Sequence, residues 1–371
     1  MITLMKRMKR IIMTLLCLII MTLLFACALQ DKTGDDASPV ADDAVANSML
    51  TDGDNSDVNA GNNQNNSFGD VETIGNIPSA PYEPTPISYG LAPVAPVAPA
   101  ASISVEKPQI TEENYPRVDG STANIPLMAS LYSEICGVPI EKAEGKVIAS
   151  GGTGNVWNSM LNDTADLLLV YEAPESFHRE ISAKGLEIAP IGRDGLVFLV
   201  NVSNPVNDLS TSQLIDIYTG KLTGWNQVGG EKGFIAAFQR NEDSGSQTLF
   251  LKLLMKDTAP MDPLPGFVPG QMSDLLEGVA DYDGSGGAIG YSVFYYASMM
   301  YANPNIKLLS VNGVAPSTES IRNGSYPLTN EFYVVIRASE PEDSPVRQMR
   351  DWLLTEEGGR LLTEAGYVSI R

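Results

Sequence analysis

Arg240-Asn241-Glu242-Asp243-Ser244-Gly245-Ser246-Gln247-Thr248 runs directly into an apolar stretch of helical period, with Leu249, Phe250, Leu253 and Leu254 on one face. Ser244 stands where a helix N-cap is expected. The free N–H groups of a first helical turn, and the positive end of its dipole, favour an anion there. Arg240 adds a forked, permanently charged donor that matches oxyanion geometry. Hydroxyls donate as well as accept, so Ser244 and Ser246 can both serve an oxyanion. The plainer alternative is an Arg240 paired on the surface with Glu242 or Asp243, which would contribute little.

Two other segments repeat the order of glycine, hydroxyl and helix. In Arg117-Val118-Asp119-Gly120-Ser121-Thr122-Ala123-Asn124-Ile125-Pro126, Asn124 is a good N-cap. Pro126 suits the first helical turn, where its missing N–H is not needed. Ser150-Gly151-Gly152-Thr153-Gly154-Asn155 follows Val147-Ile148-Ala149, which reads as a strand, and precedes a helical Val156–Leu161. Glycines in that place let backbone N–H groups approach a ligand. The dinucleotide fingerprint and the Walker lysine are both missing. Each of these two turns alone describes a helix start; three together suggest one oxyanion held from several sides.

Working outward, strand-like runs alternate with helical ones. Strands are expected at Val147–Ala149, Ala165–Val170, Leu196–Val200, Phe234–Phe238 and Tyr333–Ile336. Helices are expected at Pro126–Ile135, Val156–Leu161, Ser212–Tyr218, Thr248–Met255, Met272–Ala280 and Pro345–Thr355. The pattern is α/β, with a mixed sheet in each of two lobes. Residues 27–112 read instead as a disordered spacer: acidic and polar at first, then proline-rich through Leu91–Ala100.

The N-terminus carries Lys6, Arg7, Lys9 and Arg10 before the apolar run Ile11–Phe25, the order of a secretory signal over residues 1–26. Leu24-Phe25-Ala26-Cys27 resembles a bacterial lipobox, in which cleavage leaves the cysteine to carry a lipid. The resemblance implies lipidation at Cys27, palmitate included, and a cell-membrane tether on the extracytoplasmic side. An uncleaved membrane anchor is the alternative, for which the run is short. With Cys17 in the signal and Cys27 lipidated, Cys136 is the one thiol left for the folded part, and its apolar neighbours suggest an inert core residue. The chain holds 24 Lys+Arg against 45 Asp+Glu, a formal charge of −21. Nucleic acid is therefore excluded as a partner, and anion selectivity must come from local desolvated donors.

Catalytic signatures are missing. His178 is the sole histidine and reads as a loop residue; zinc spacing, a G-x-S-x-G elbow and an H-E-x-x-H pair are not found. Asp281–Gly286 is rich in Asp and Gly but lacks the ordered ligands of a calcium loop. No metal, cofactor or catalytic residue is expected.

Tyr115–Thr122, Asp166–Pro174, Tyr218–Asn226, Gln239–Gln247, Gly287–Tyr291 and Ser325–Leu328 come in an order that resembles the phosphate-binding proteins of phosphate-specific ABC transporters, in the form common among Gram-positive lipoproteins. The resemblance spans Asn114 to Arg371. It implies a two-lobed clamp over 113–371, one lobe of 113–203 plus 305–371 and the other of 204–304. Asn201–Pro205 and Asn303–Leu308 would be the crossings. It implies further that Asn124 and the backbone of Ile125, then Ser150 or Thr153, face the anion from the first lobe. Arg240, Ser244, Gly245 and Ser246 would do so from the second. Glu172 would stand where the family's aspartate accepts the proton of phosphate and rejects sulfate, or else be a surface acid before Pro174. A monomer that passes inorganic phosphate to a permease is the expected function. Another oxyanion, a sensing role, or a surface interaction protein with a degenerate cleft are the alternatives.

Overall fold

The computed structural model describes residues 106–371, apart from Leu264, Asp283, Ser285 and Gly286. The signal-like segment, Cys27, all of the spacer before residue 106 and part of the Asp281–Gly286 turn lie outside the described residues. Among those described, no helix is long and apolar enough to cross a membrane.

The chain begins with β1 (Val118–Gly120), the helices α1 (Ile125–Cys136), α2 (Ile140–Glu144) and α3 (Thr153–Leu161), then β2 (Leu167–Val170) and α4 (His178–Lys184). A long β3 (Leu186–Asn201) leads to β4 (Asp208–Leu209), α5 (Thr211–Tyr218) and β5 (Ala236–Ala237). Next comes α6 (Gly245–Leu249), continued by a π-helical stretch, Phe250–Met255, then α7 (Met272–Ala280) and β6 (Ala288–Val293). The remainder is β7 (Ile306–Leu308), β8 (Ser310–Val311), α8 (Thr318–Arg322), β9 (Thr329–Arg337), α9 (Pro345–Leu353), α10 (Glu356–Glu364) and β10 (Val368–Ser369).

Two mixed sheets share β3. Its first part, Leu186 to Gly195, pairs antiparallel with β9, which pairs with β2, and β2 lies parallel to β1. From Leu196 to Val200 the same strand pairs antiparallel with β6, which lies parallel to β5. The exchange of partners falls at Gly195–Leu196, ahead of the Asn201–Pro205 crossing expected from sequence. On the return path β7 still pairs with β3 at Leu199–Asn201, and β8 pairs with β4. The chain rejoins the first sheet only at β9, later than Asn303–Leu308. Leu196–Val200 is buried from both sides, and Phe198 packs on Tyr218 and Tyr291 of the second half.

The sequence showed the second part of this strand, Leu196–Val200, and hid the first because Pro190, Gly192, Asp194 and Gly195 punctuate it. A register shift between Pro190 and Gly192 absorbs the proline, which cannot donate to a ladder. Gly192 is required there: a Cβ would lie 2.3 Å from the Phe332 ring. Other expectations are corrected in the same way. Val147–Ala149 is not a strand, since β1 takes the edge beside β2, and Ile148 stands 82% exposed. Phe234–Phe238 shortens to β5, and the unforeseen β6, Ala288–Val293, overlaps the Gly287–Tyr291 motif. His178 opens α4 instead of lying in a loop. Cys136 is a partly buried free thiol; burial and the nearby Glu112 raise its pKa, away from the reactive thiolate.

Helices follow the expected pattern closely. In α1 Pro126 sits in the first turn, Leu127, Leu131 and Ile135 are buried, and Gly137 closes the helix with φ 67°. Each fully buried aliphatic side chain of this kind stabilises the fold by roughly 1.5–3 kcal/mol. The main core runs continuously through both halves, while Val156, Trp157 and Met160 of α3 form a smaller one against β2 and Val335.

Candidate anion site

The three glycine turns meet. Ser121 Oγ lies 3.1 Å from Thr153 Oγ1. The Gly154 N–H donates to the Asp243 carbonyl at 3.0 Å, a backbone bond from the first half to the second. Gly245 lies so close that a Cβ there would sit 2.3 Å from Thr153 Oγ1. Only glycine fits without parting the halves. Ser244 Oγ and Ser246 Oγ are 3.0 Å apart. Ser121, Thr153, Ser244 and Ser246 are all buried, so hydroxyl donors from both halves converge in a place shielded from water.

These turns do not use their side chains for helix capping. Ser121, Asn124 and Ser244 hold N-cap positions, yet none of their side chains caps its helix. The N-cap of α3 is Gly152, which has no side chain to cap with and takes φ 64°. First-turn N–H groups that go uncapped need another acceptor.

Arg240 is buried, at 8% exposure, and so is not the surface ion pair of the plainer reading. Its Nε donates to the Pro269 carbonyl at 3.2 Å and Nη2 to the Gly270 carbonyl at 3.1 Å. Nη1 has no partner among the described residues. Its backbone N–H is held by Tyr291 Oη at 3.0 Å and Gln247 Oε1 at 3.1 Å. Burial without a carboxylate partner lowers its pKa. Such a buried cation gains most from an arriving anion.

The other expected residues divide. Thr153 is in the cluster; Ser150 is not, because its Oγ and N–H both bond the buried Asp119 carboxylate. Asn124 is fully buried, but its Nδ2 donates to the Leu169 carbonyl at 2.9 Å, leaving Oδ1 without a partner. The Ile125 N–H is taken by the Thr122 carbonyl in a short 3-10 turn, so it is not offered to a ligand. Glu172 Oε2 forms an ion pair with Lys252, from the helix behind Ser244. Sequence reasoning missed Ser121 and Lys252. Ser121 was legible in the order glycine, hydroxyl, helix of Gly120-Ser121-Thr122. A surface cavity of about 330 Å³ lies behind the first turn, lined by Tyr115, Asp119, Tyr132 and Ser150 among others, and includes neither Arg240 nor Ser244.

Two mixed sheets joined through one strand, with donor-rich turns closing from both sides, define a two-lobed α/β ligand-binding protein. Comparison with known proteins gives the family. The chain belongs to the PBP superfamily, whose domain model matches residues 107–356. It is similar to the phosphate-binding protein PstS of Bacillus subtilis, 26% identical over 191 residues, or 51% of this chain and 60% of that protein. The match thus spans less than two thirds of that relative. Protein SphX of Synechococcus elongatus is 25% identical over 300 residues, covering 76% of this chain and 84% of SphX. Among solved structures, a phosphate ABC transporter substrate-binding protein from Clostridium perfringens superposes with a TM-score of 0.56 at 22% identity. That alignment covers 70% of this chain and 100% of the other, and supports the fold.

Proposed function

We propose that this chain is a non-catalytic, extracytoplasmic solute-binding lipoprotein that takes inorganic phosphate into the cleft between its halves and hands it to the permease of an ABC importer. The observation that carries the reading is Arg240: a buried guanidinium whose Nη1 has no partner among the described residues, a few residues from the paired hydroxyls of Ser244 and Ser246. The names of the relatives favour phosphate as the anion. With a formal charge of −21 the protein repels anions at long range, so short-range donors must supply the capture. Binding draws the lobes together because the donors belong to both halves, and only the closed state satisfies the ligand.

Glu172 would supply the preference for phosphate over sulfate. Lys252 engages Oε2, which leaves Oε1 to accept the hydrogen of protonated phosphate. Sulfate carries no such hydrogen at neutral pH, and acceptor against acceptor is unfavourable. Anchoring through lipid on Cys27 and action as a monomer complete the proposal. The decisive measurement is calorimetry of the full chain with phosphate and with sulfate. Heat with phosphate and little with sulfate is the expected result; no heat with phosphate would overturn it.

A further inference from the structure

Tyr171 lies just beyond β2, and three hydrogen bonds leave it in different directions. Its backbone N–H donates to Ser121 Oγ at 3.3 Å. Its carbonyl accepts from the Trp157 indole of α3 at 3.1 Å. Its phenol donates to Asp194 Oδ2 at 2.6 Å. Asp194 stands on β3 next to the point where that strand leaves β9 for β6. Its other oxygen accepts from the Gly195 N–H at 2.7 Å and from the Tyr295 N–H at 3.2 Å. Tyr295 comes from the second half, two residues after the end of β6.

A second route joins the same places. The Tyr295 ring stacks on Tyr367 with centroids 3.7 Å apart, and the Tyr367 hydroxyl donates to the Ala123 carbonyl at 2.7 Å. Ala123 belongs to the turn that Ser121 opens. The crossing strand is therefore tied to both ends of that turn.

The chemistry of a hydroxyl gives these ties a consequence. Ser121 Oγ receives the Tyr171 N–H on a lone pair, so its own hydrogen points away from Tyr171, to be donated to an anion or to Thr153 Oγ1 at 3.1 Å. Released from Tyr171, the hydroxyl could rotate and meet an anion with its lone pairs. Asp194 is 3% exposed and faces Tyr171 and Tyr295, with no cation bonded to it among the described residues. Burying a carboxylate in that way is costly, whereas an apolar residue would pack at no such cost. We propose that Tyr171 and Asp194 are a positioning pair, which sets Ser121 as a donor to the bound anion and ties that setting to the strand on which the halves turn. The proposal rests on the anion-binding reading of the cleft.

A double-mutant cycle tests it. The full chain, Ser121→Ala, Tyr171→Phe and the double variant are titrated with inorganic phosphate. Tyr171→Phe should weaken binding roughly three- to tenfold in the parent and less than about twofold in the Ser121→Ala background. Losses that simply add would assign Tyr171 to general packing and overturn the pair. Asp194→Asn, read in the same cycle, serves if Tyr171→Phe fails to fold. Amide hydrogen exchange at Tyr171 without phosphate gives an independent reading. Faster exchange in Tyr171→Phe and Asp194→Asn supports the tie to Ser121, and unchanged exchange sinks it whatever the chain binds. Faster exchange in a chain that binds no phosphate would strike the anion reading and leave the tie standing.

Discussion

Ser210, Ser317, Ser344 and Thr355 head α5, α8, α9 and α10, and each accepts a backbone N–H from the first turn of its helix. Ser121, Asn124 and Ser244 hold the same local position and cap nothing. The capping residues lie away from the meeting of the glycine turns; the others stand in it or, in the case of Asn124, beside it. Residues of similar chemistry thus complete a helix in one region and stay available in the other. On the proposed reading stability and ligand capacity are separated along this line, and the separation can be attacked experimentally.

The largest effect should come from Arg240→Met. Phosphate affinity is expected to fall by about 100-fold or more, since a buried charge-assisted donor to an oxyanion is lost. The phosphate-free protein should be at least as stable as the parent, because an apolar side chain avoids burying an incompletely paired cation. Calorimetry and thermal melting together decide it. A fall in stability matching the fall in affinity would make Arg240 scaffold, and the comparison would collapse. Next in size is Gly245→Ala, whose Cβ would strike Thr153 Oγ1 at 2.3 Å. Overpacking of this kind costs about 1–3 kcal/mol, here charged to closure and not to either half. Small-angle scattering should show the variant staying open with phosphate, and Thr153→Ala in the same chain should restore part of the closure.

Much of this was legible in the sequence. The helical stripes behind Pro126 and Thr248 located α1 and α6, and the glycine turns before them located the places that meet. Of the strand that joins the sheets only Leu196–Val200 was legible, because proline and glycine in its first part read as punctuation, and only pairing on both flanks reveals a bulged strand. Ser150 shows a related limit: a serine in a glycine loop looks available until a buried acid such as Asp119 takes its hydroxyl. Local pattern locates turns. Which polar group in a turn remains free is decided by residues far along the chain, and so is the Lys252 partner of Glu172.

A third effect lies in the joint between the regions. Burial raises the Asp194 carboxyl to about 6, against a partial pull downward from its hydrogen bonds to Tyr171, Gly195 and Tyr295. Between about pH 4 and 6 the folded state therefore binds more protons at this group than the unfolded chain does. Its contribution to stability falls as pH rises through that window, by roughly 2–3 kcal/mol in all. Asp194→Asn cannot titrate, so the difference in melting temperature between variant and parent should shift in the variant's favour from pH 4 to 6 and then level off. A difference that stays flat with pH would mean that Asp194 keeps an ordinary carboxylate pKa.

The smallest effects make the sharpest contrast, because the substitutions are chemically identical. Ser344→Ala removes a hydroxyl that accepts the Arg347 N–H at 3.2 Å. It should destabilise the fold by about 1 kcal/mol, the usual cost of losing such a cap, and leave phosphate affinity within error. Ser244→Ala removes a hydroxyl whose contact is Ser246 Oγ at 3.0 Å, and no first-turn N–H loses an acceptor. It should lower the melting temperature less than Ser344→Ala does, yet weaken phosphate binding roughly three- to tenfold, about one hydrogen bond's worth. Melting and calorimetry on the same two proteins would give crossed results. If both substitutions behaved as caps, Ser244 would have no stake in the ligand, and the uncapped state of the three turns would be a feature of the fold alone.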